Sequence, residues 1–362
     1  MGSVTDAHLF IIIFAAVLGM LGNAIVIIVR LYKHCYTSSA RSAYKFLILH
    51  LAIADAIFAM TIAFDIKEQL DGGFIIQLGR WGCKVIKVVQ SVSGSSTVGF
   101  LVIMALERYR GLTMVMRRKK WSLRWVGLLV VLVWIYFVLA MLPMLFALDV
   151  HGGYCMEIHH PSEGFRKTYT MFLFITNYIL PLIVMSFAHS RIIYRISQHN
   201  MMLRFSFCSE QQKISVSSTS SIGFLFLRSG DMPCVPLSGP SRAMALKKTK
   251  KDRKISKMLA AVTLCFALFT LPSQIFYIWY DFGGSRNSNG DLNFKLMTMF
   301  GGLVYLHCCI NPILYSVMDS NFRKDCLQLV RTIFSCKKIN VLTRASEIAS
   351  QIKQQTNSKS VK

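Results

Sequence analysis

The chain has 362 residues, of which 54% are apolar and 16% charged, and it carries a formal net charge of +24 at pH 7. That balance is too apolar for an ordinary water-soluble surface, so a membrane is the first expectation. No Ser/His/Asp set, zinc-spaced His/Cys pattern or phosphate loop appears, which argues against an enzyme and against a bound metal.

Seven apolar runs follow one another at 9–29, 46–64, 85–106, 125–148, 169–188, 258–280 and 296–318. Each is close to the roughly 20 residues that cross hydrocarbon as a helix. Only Asp55 and Lys87 bring an Asp or Lys into them. Continuous runs, instead of short alternating ones, favour helices over a barrel. The expected fold is an all-α membrane protein, a seven-helix bundle followed by a short amphipathic eighth helix. Its expected divisions are an extracellular N-terminus at 1–8, a membrane domain at 9–318 with a long third intracellular loop at 198–250, an amphipathic cytoplasmic helix at 319–335 and a cytoplasmic tail at 336–362. The first run is long enough to stay as a signal anchor. No Asn-x-Ser/Thr acceptor occurs.

An odd number of spans puts the two ends on opposite sides. With the N-terminus outside, intracellular segments hold 33 of the 41 Lys and Arg residues, as the positive-inside rule requires. The chain is therefore expected at the plasma membrane, with a basic cytoplasmic face lying against anionic lipid and presented to acidic partners, and with no nucleic-acid role. Of ten cysteines, Cys83 and Cys155 are the two placed outside. The oxidising compartment and the lack of a competitor there predict a disulfide between them.

Motifs recur once per helix, in order: Gly22-Asn23, "LAIAD" ending at Asp55, Cys83 followed by "ERY" at 107–109, Trp134, Pro181, Phe266 with Pro272, and "NPILY" at 311–315. Taken together the sequence resembles the class A, rhodopsin-like G-protein-coupled receptors over nearly its whole length. A proline inside a membrane helix removes one backbone hydrogen bond and leaves a local distortion. Pro312 therefore frees a carbonyl that Asn311 is expected to satisfy, and the bend supplies two packings close in energy, with Tyr315 below it.

The resemblance implies switch and coupling roles for Glu107, Arg108, Tyr109, Asp252, Phe266, Pro272, Asn311, Pro312 and Tyr315. Arg108 is expected to pair at rest with Asp252 and to be uncovered for a heterotrimeric G protein when the sixth helix swings out. Asp55 needs a partner in mid-membrane. The resemblance places it in a sodium and water network with Asn23, Thr97 and Asn311, with His307 and Cys308 where Asn and Ser are usual. His307 is expected to pair with Asp55 and to leave only weak allosteric sodium binding. Three positions depart from the family pattern: Thr270 replaces a tryptophan, with Phe269 beside it, His189 replaces a tyrosine, and an aromatic is missing near Ile76.

The third helix carries Gln90 where amine receptors keep a carboxylate, and Tyr305 stands where opsins keep a lysine, so monoamines are disfavoured and an opsin is rejected. By analogy the outer cavity is lined by Asp65, Lys87, Gln90, Tyr178, Gln274, Tyr277 and Tyr305. Asp65 and Lys87 either contact ligand or pair with each other. A slightly acidic rim suits a cationic peptide, and "GGYCMEIHH" around Cys155 resembles the hairpin of peptide receptors. The expected ligand is an extracellular peptide, with lipid or another small molecule as the alternative. A seven-helix transporter is the competing class. It would show inverted repeats or several midplane charges, which seven unlike helices with one deep carboxylate fit poorly.

Beyond Tyr315, Phe322, Cys326, Val330 and Ile333 share one face of a basic amphipathic stretch. Cys326 and Cys336 are either lipidated or plain thiols. Serines and threonines in the tail offer sites for receptor kinases and an arrestin partner. The apolar "GFLFL" at 223–227 has no account in this reading.

Overall fold

A computed structural model describes residues 2–36, 42–71, 74–113, 121–151, 154–216, 239–283 and 290–334, without the side chains near several of those ends. In hydrocarbon, backbone N–H and C=O groups can be satisfied only within the protein, and long apolar runs do so as helices. In order these are α1 (Gly2–Tyr36), α2 (Ala43–Asp71), α3 (Phe74–Thr113), α4 (Leu123–Ala140) and α5 (Leu142–Ala147). The hairpin β1 (Leu148–His151) and β2 (Tyr154–Glu157) comes next. It is followed by α6 (Glu163–Phe174), a π-helical turn Ile175–Ile179, α7 (Leu180–Val216), α8 (Gly239–Phe282) and α9 (Gly290–Met318). A last helix, α10, covers 320–334.

Seven stretches are long and apolar enough to cross a membrane: His8–Lys33, Ala43–Leu70, Gly79–Leu112, Leu123–Ala147, Glu163–Gln198, Asp252–Phe282 and Lys295–Met318. Each predicted run falls within one of them to within a residue. Residues 1–8, read as an N-terminal segment, are helical from Gly2 onward. The loop read at 198–250 is helical to Val216 and again from Gly239; the "GFLFL" segment lies outside the described residues.

Within lipid, apolar faces gain little by meeting each other, so helix contacts depend on close packing. A Cβ on Gly19 would stand 2.7 Å from Cys308 Sγ, and one on Gly22 would stand 2.9 Å from Pro312 Cβ. Only glycine lets α1 lie this near α9. The main core runs down the bundle through Leu47, Leu51, Phe100, Met104, Met185, Met258 and Tyr315, all fully buried. Trp134 meets Phe100 edge to face at 5.8 Å, which seats α4 on α3. The opposite side of α4 shows Trp125, Leu128, Val131, Leu132 and Leu139 outward, a lipid-facing stripe.

At one end the hairpin closes over the bundle. Val150 pairs with Cys155 across its two antiparallel strands, and Cys155 forms a disulfide with Cys83 on α3. Gly79, in the left-handed region at φ 68°, breaks α3 just before this point, backbone that glycine adopts without steric cost. Arg80 follows and donates from Nε to Asp149 at 2.8 Å, while His159 Nε2 lies 2.9 Å from the same carboxylate. The Arg80 guanidinium holds the Asp149 carboxyl well below the usual carboxylate range, so the strap stays charged and paired.

Candidate functional site

Three polar constellations occupy three depths of the bundle. Beneath the hairpin, α2, α3 and α9 bring together Asp65, Glu68, Lys87, Gln90 and Tyr305. Asp65 Oδ1 accepts from Lys87 Nζ at 2.6 Å. Its Oδ2 accepts from Gln90 Nε2 at 2.6 Å and from the Tyr305 hydroxyl at 2.7 Å. Lys87 also stands 3.7 Å from Glu68, whose other oxygen accepts the Cys155 N–H at 3.0 Å. Both carboxylates are more than nine-tenths buried. One ammonium thus serves two buried carboxylates against a low-dielectric wall, where uncompensated charge is costly.

At mid-depth Asp55, 1% exposed, accepts from Thr97 at 2.7 Å and from Asn311 at 2.7 Å. The bend of α9 begins here. Pro312 has no N–H to donate to the carbonyl four residues earlier, that of Cys308. Asn23 Nδ2 donates to that carbonyl at 2.9 Å and to the Gly19 carbonyl at 2.8 Å. The expectation that Asn311 satisfies the freed group is therefore corrected: Asn23, reaching across from α1, does so, and Asn311 is left for Asp55.

At the far end Arg108 lies with its Cζ 3.9 Å from the centroid of the Tyr44 ring and its Nε 3.4 Å from Glu107. Arg30, also in the electrostatic surroundings of Tyr44, is buried 3.8 Å from Asp319 and 3.5 Å from Asp325, and 5.4 Å from the Phe322 ring. Phe322 in turn meets Tyr315 edge to face at 6.3 Å.

Residues 22–315 match the model of the seven-transmembrane receptors of the rhodopsin family. The chain belongs to that family. Among its relatives, G-protein coupled receptor 54 of Oreochromis niloticus is 25% identical over 89% of the chain and 78% of its own length. Galanin receptor type 1 of Rattus norvegicus is 25% identical over 91% and 82%. Squid rhodopsin shares the fold with a TM-score of 0.71, at 17% identity, over 92% of this chain and 87% of that one. This is a class A, peptide-receptor-like member of a family of receptors, not enzymes.

Several residues sit elsewhere than the family analogy put them. No ion pair joins Arg108 to Asp252 among the described residues; Tyr44, which the sequence reading missed, meets the guanidinium instead. His307 does not pair with Asp55: its ring stands edge to face against Phe266 at 5.5 Å. Asn23 serves the α9 backbone instead of the carboxylate.

Tyr178 does not line the outer cavity. It is buried in the main core, 5.9 Å from the Phe266 ring, and its hydroxyl donates to the Ala267 carbonyl, one residue before the Leu268 carbonyl that Pro272 leaves without its helical donor. The aromatic path from α6 to α9 therefore runs Phe174, Tyr178, Phe266, His307, so it passes below Thr270 and does not use Phe269. His189 meets Thr263 at 3.1 Å.

Tyr277 reaches the electrostatic neighbourhood of Lys87 and Asp65, whereas Gln274 is half-buried and forms no hydrogen bond to that cluster among the described residues. Tyr109 packs against Phe187 at 6.0 Å. Cys326 is half-buried against the main core, and burial pushes its thiol up, away from the reactive thiolate. Val330 and Ile333 are outward on α10; Cys336 lies outside the described residues. A backbone carbonyl orphaned by a proline is readable from sequence, but which of Asn23 and Asn311 donates to it is not. Tyr44 carried no such signal.

Proposed function

We propose that the chain is a plasma-membrane receptor with its hairpin end outside, that it binds a cationic peptide, and that it activates heterotrimeric G proteins through the Arg108 end. The observation that supports this most is the buried sharing of Lys87 by Asp65 and Glu68 directly beneath the disulfide-tied hairpin. An ammonium or guanidinium from a peptide would complete that charge balance, and the resulting rearrangement of Tyr305 would reach Asn311 and Pro312 along α9. The galanin receptor among the relatives supports a peptide as the ligand. Outward movement of α8 then opens a groove for a helix of the G protein. Receptor kinases and arrestin act on the tail, and the basic inner segments rest on anionic lipid. Sodium at Asp55 is a weak allosteric ligand in this reading, because Thr97 and Asn311 already occupy the carboxylate.

The test is a screen of amidated and free cationic peptides on cells that report cAMP and calcium. Hits are followed by nucleotide exchange on purified G protein. Peptide-dependent exchange that disappears in Arg108→Leu supports the proposal. Solute flux in vesicles lacking any G protein, with no exchange, sinks it.

A further inference from the structure

The resting partner of Arg108 is where this chain's own geometry says most. Its Nε is 3.4 Å from Glu107, the neighbour in sequence, a contact that travels with α3 and ties it to no other helix. The contact that does bridge helices is the one with Tyr44: the guanidinium carbon is 3.9 Å from the ring centroid. A cation over an aromatic face is attracted by the ring's quadrupole, more strongly where water is excluded. Water is largely excluded here, since Tyr44 is 5% exposed. Its ring is also fixed. Tyr44 lies in the first turn of α2 and belongs to the main core with Leu47, Met104 and Tyr315. Arg30 and Asp319 stand in its electrostatic surroundings as well.

We infer that Tyr44 is the positioning residue that holds Arg108 in the closed state. This rests on the coupling role proposed above and changes its mechanics. A hold through Asp252 would sit on α8, the helix proposed to move, and would break as that helix departs. Tyr44 sits on α2, so α8 can swing while Arg108 stays on the ring. The guanidinium must then be drawn off by the incoming partner itself. Low agonist-free activity should depend on the ring at position 44 and not on the carboxylate at position 252.

The experiment uses the full chain in lipid nanodiscs, with agonist-free nucleotide exchange on purified G protein as the readout. Tyr44→Leu should raise exchange about tenfold, the size expected when a desolvated cation–π contact is lost. Tyr44→Phe keeps the ring face and should stay near the wild-type rate, as should Asp252→Asn. Trifluorophenylalanine at position 44 keeps the shape of phenylalanine but depletes the ring's negative face, and it should behave like leucine; it carries the test if Tyr44→Leu fails to fold.

Equal rates for Phe and Leu, no effect of fluorination, or an Asp252→Asn rise matching Tyr44→Leu would each overturn the inference. Nitrogen-15 arginine NMR separates this from the coupling proposal. The ring-current displacement of the Arg108 Nε–H signal should persist in Tyr44→Phe and vanish in Tyr44→Leu, whether or not any G protein responds. Its persistence in Tyr44→Leu would also refute the assignment.

Discussion

Asn23→Ala isolates the backbone repair at Pro312. Its side-chain amide makes bonds of 2.8 Å to Gly19 and 2.9 Å to Cys308, and the residue is fully buried. The Gly19 carbonyl retains a helical donor in the backbone N–H of residue 23. The Cys308 carbonyl has none, because the residue four positions on is Pro312. Deleting the amide leaves that carbonyl buried and unpaired, at a cost of about 1–3 kcal/mol. Lost packing adds about 1 kcal/mol, which brings the total to about 2–4 kcal/mol.

By soluble-domain scaling of about 2–4 °C per kcal/mol, thermal unfolding in nanodiscs should shift down by about 4–16 °C. The decisive arm is the double-mutant cycle. In a Pro312→Ala background residue 312 can donate to Cys308 itself, so Asn23→Ala should cost only about 1 kcal/mol, a coupling within the range of contacting residues. Costs that add to within about 0.5 kcal/mol would refute the argument that Asn23 replaces the proline's missing donor.

Three further outcomes are expected. Lys87→Met leaves Asp65 and Glu68 buried without their shared cation, so folded receptor recovered by size exclusion should fall sharply, consistent with about 3–5 kcal/mol for removing one partner of a buried pair; the triple variant that adds Glu68→Gln and Asp65→Asn should recover much of it. Agonist affinity should change less than about threefold when sodium replaces N-methylglucamine, since Asp55 already has two donors; a tenfold fall would reject the weak-sodium proposal. Arg80 depresses the Asp149 carboxyl, so the pair's stabilisation is fully present above the ordinary Asp value near pH 4 and is lost only as pH falls through the lowered value. The loss in melting temperature caused by Asp149→Asn should accordingly not shrink between about pH 7 and 5, and a penalty that fades across that window would contradict it.

The spans were legible because the bilayer fixes both length and composition of what crosses it, and a run such as 125–148 has no other reading. The disulfide was legible because compartment left Cys83 a single partner. Contacts were not, because helix rotation and rise decide them and neither leaves a local mark. Asn23 and Asn311 are the same side chain on different helices, and which one reaches the Cys308 carbonyl depends on how closely Gly19 and Gly22 let α1 approach α9. His307 was paired with Asp55 because both are titratable and deep, yet its ring turns to Phe266. Analogy put Asp252 opposite Arg108, while the aromatic at the start of α2 occupied that face.

One helix threads all three constellations. On α9, Tyr305 bonds Asp65, Asn311 bonds Asp55 two turns later, Pro312 leaves Cys308 to Asn23, and Tyr315 packs on Phe322 of α10. These tie α9 to α2 at two depths, to α1 and to α10, so a displacement at Tyr305 cannot be absorbed locally without breaking a buried hydrogen bond further down. The weakest point of that column is the proline bend, where an inter-helix side chain replaces a backbone bond. Motion from the outer cluster should therefore concentrate at residues 308–312, and Tyr315 and the Arg30–Asp319 group below it should move as one piece with α10. That division gives the Asn23 and Tyr44 experiments distinct readouts: the first changes how easily the column bends, the second how firmly the far end is held.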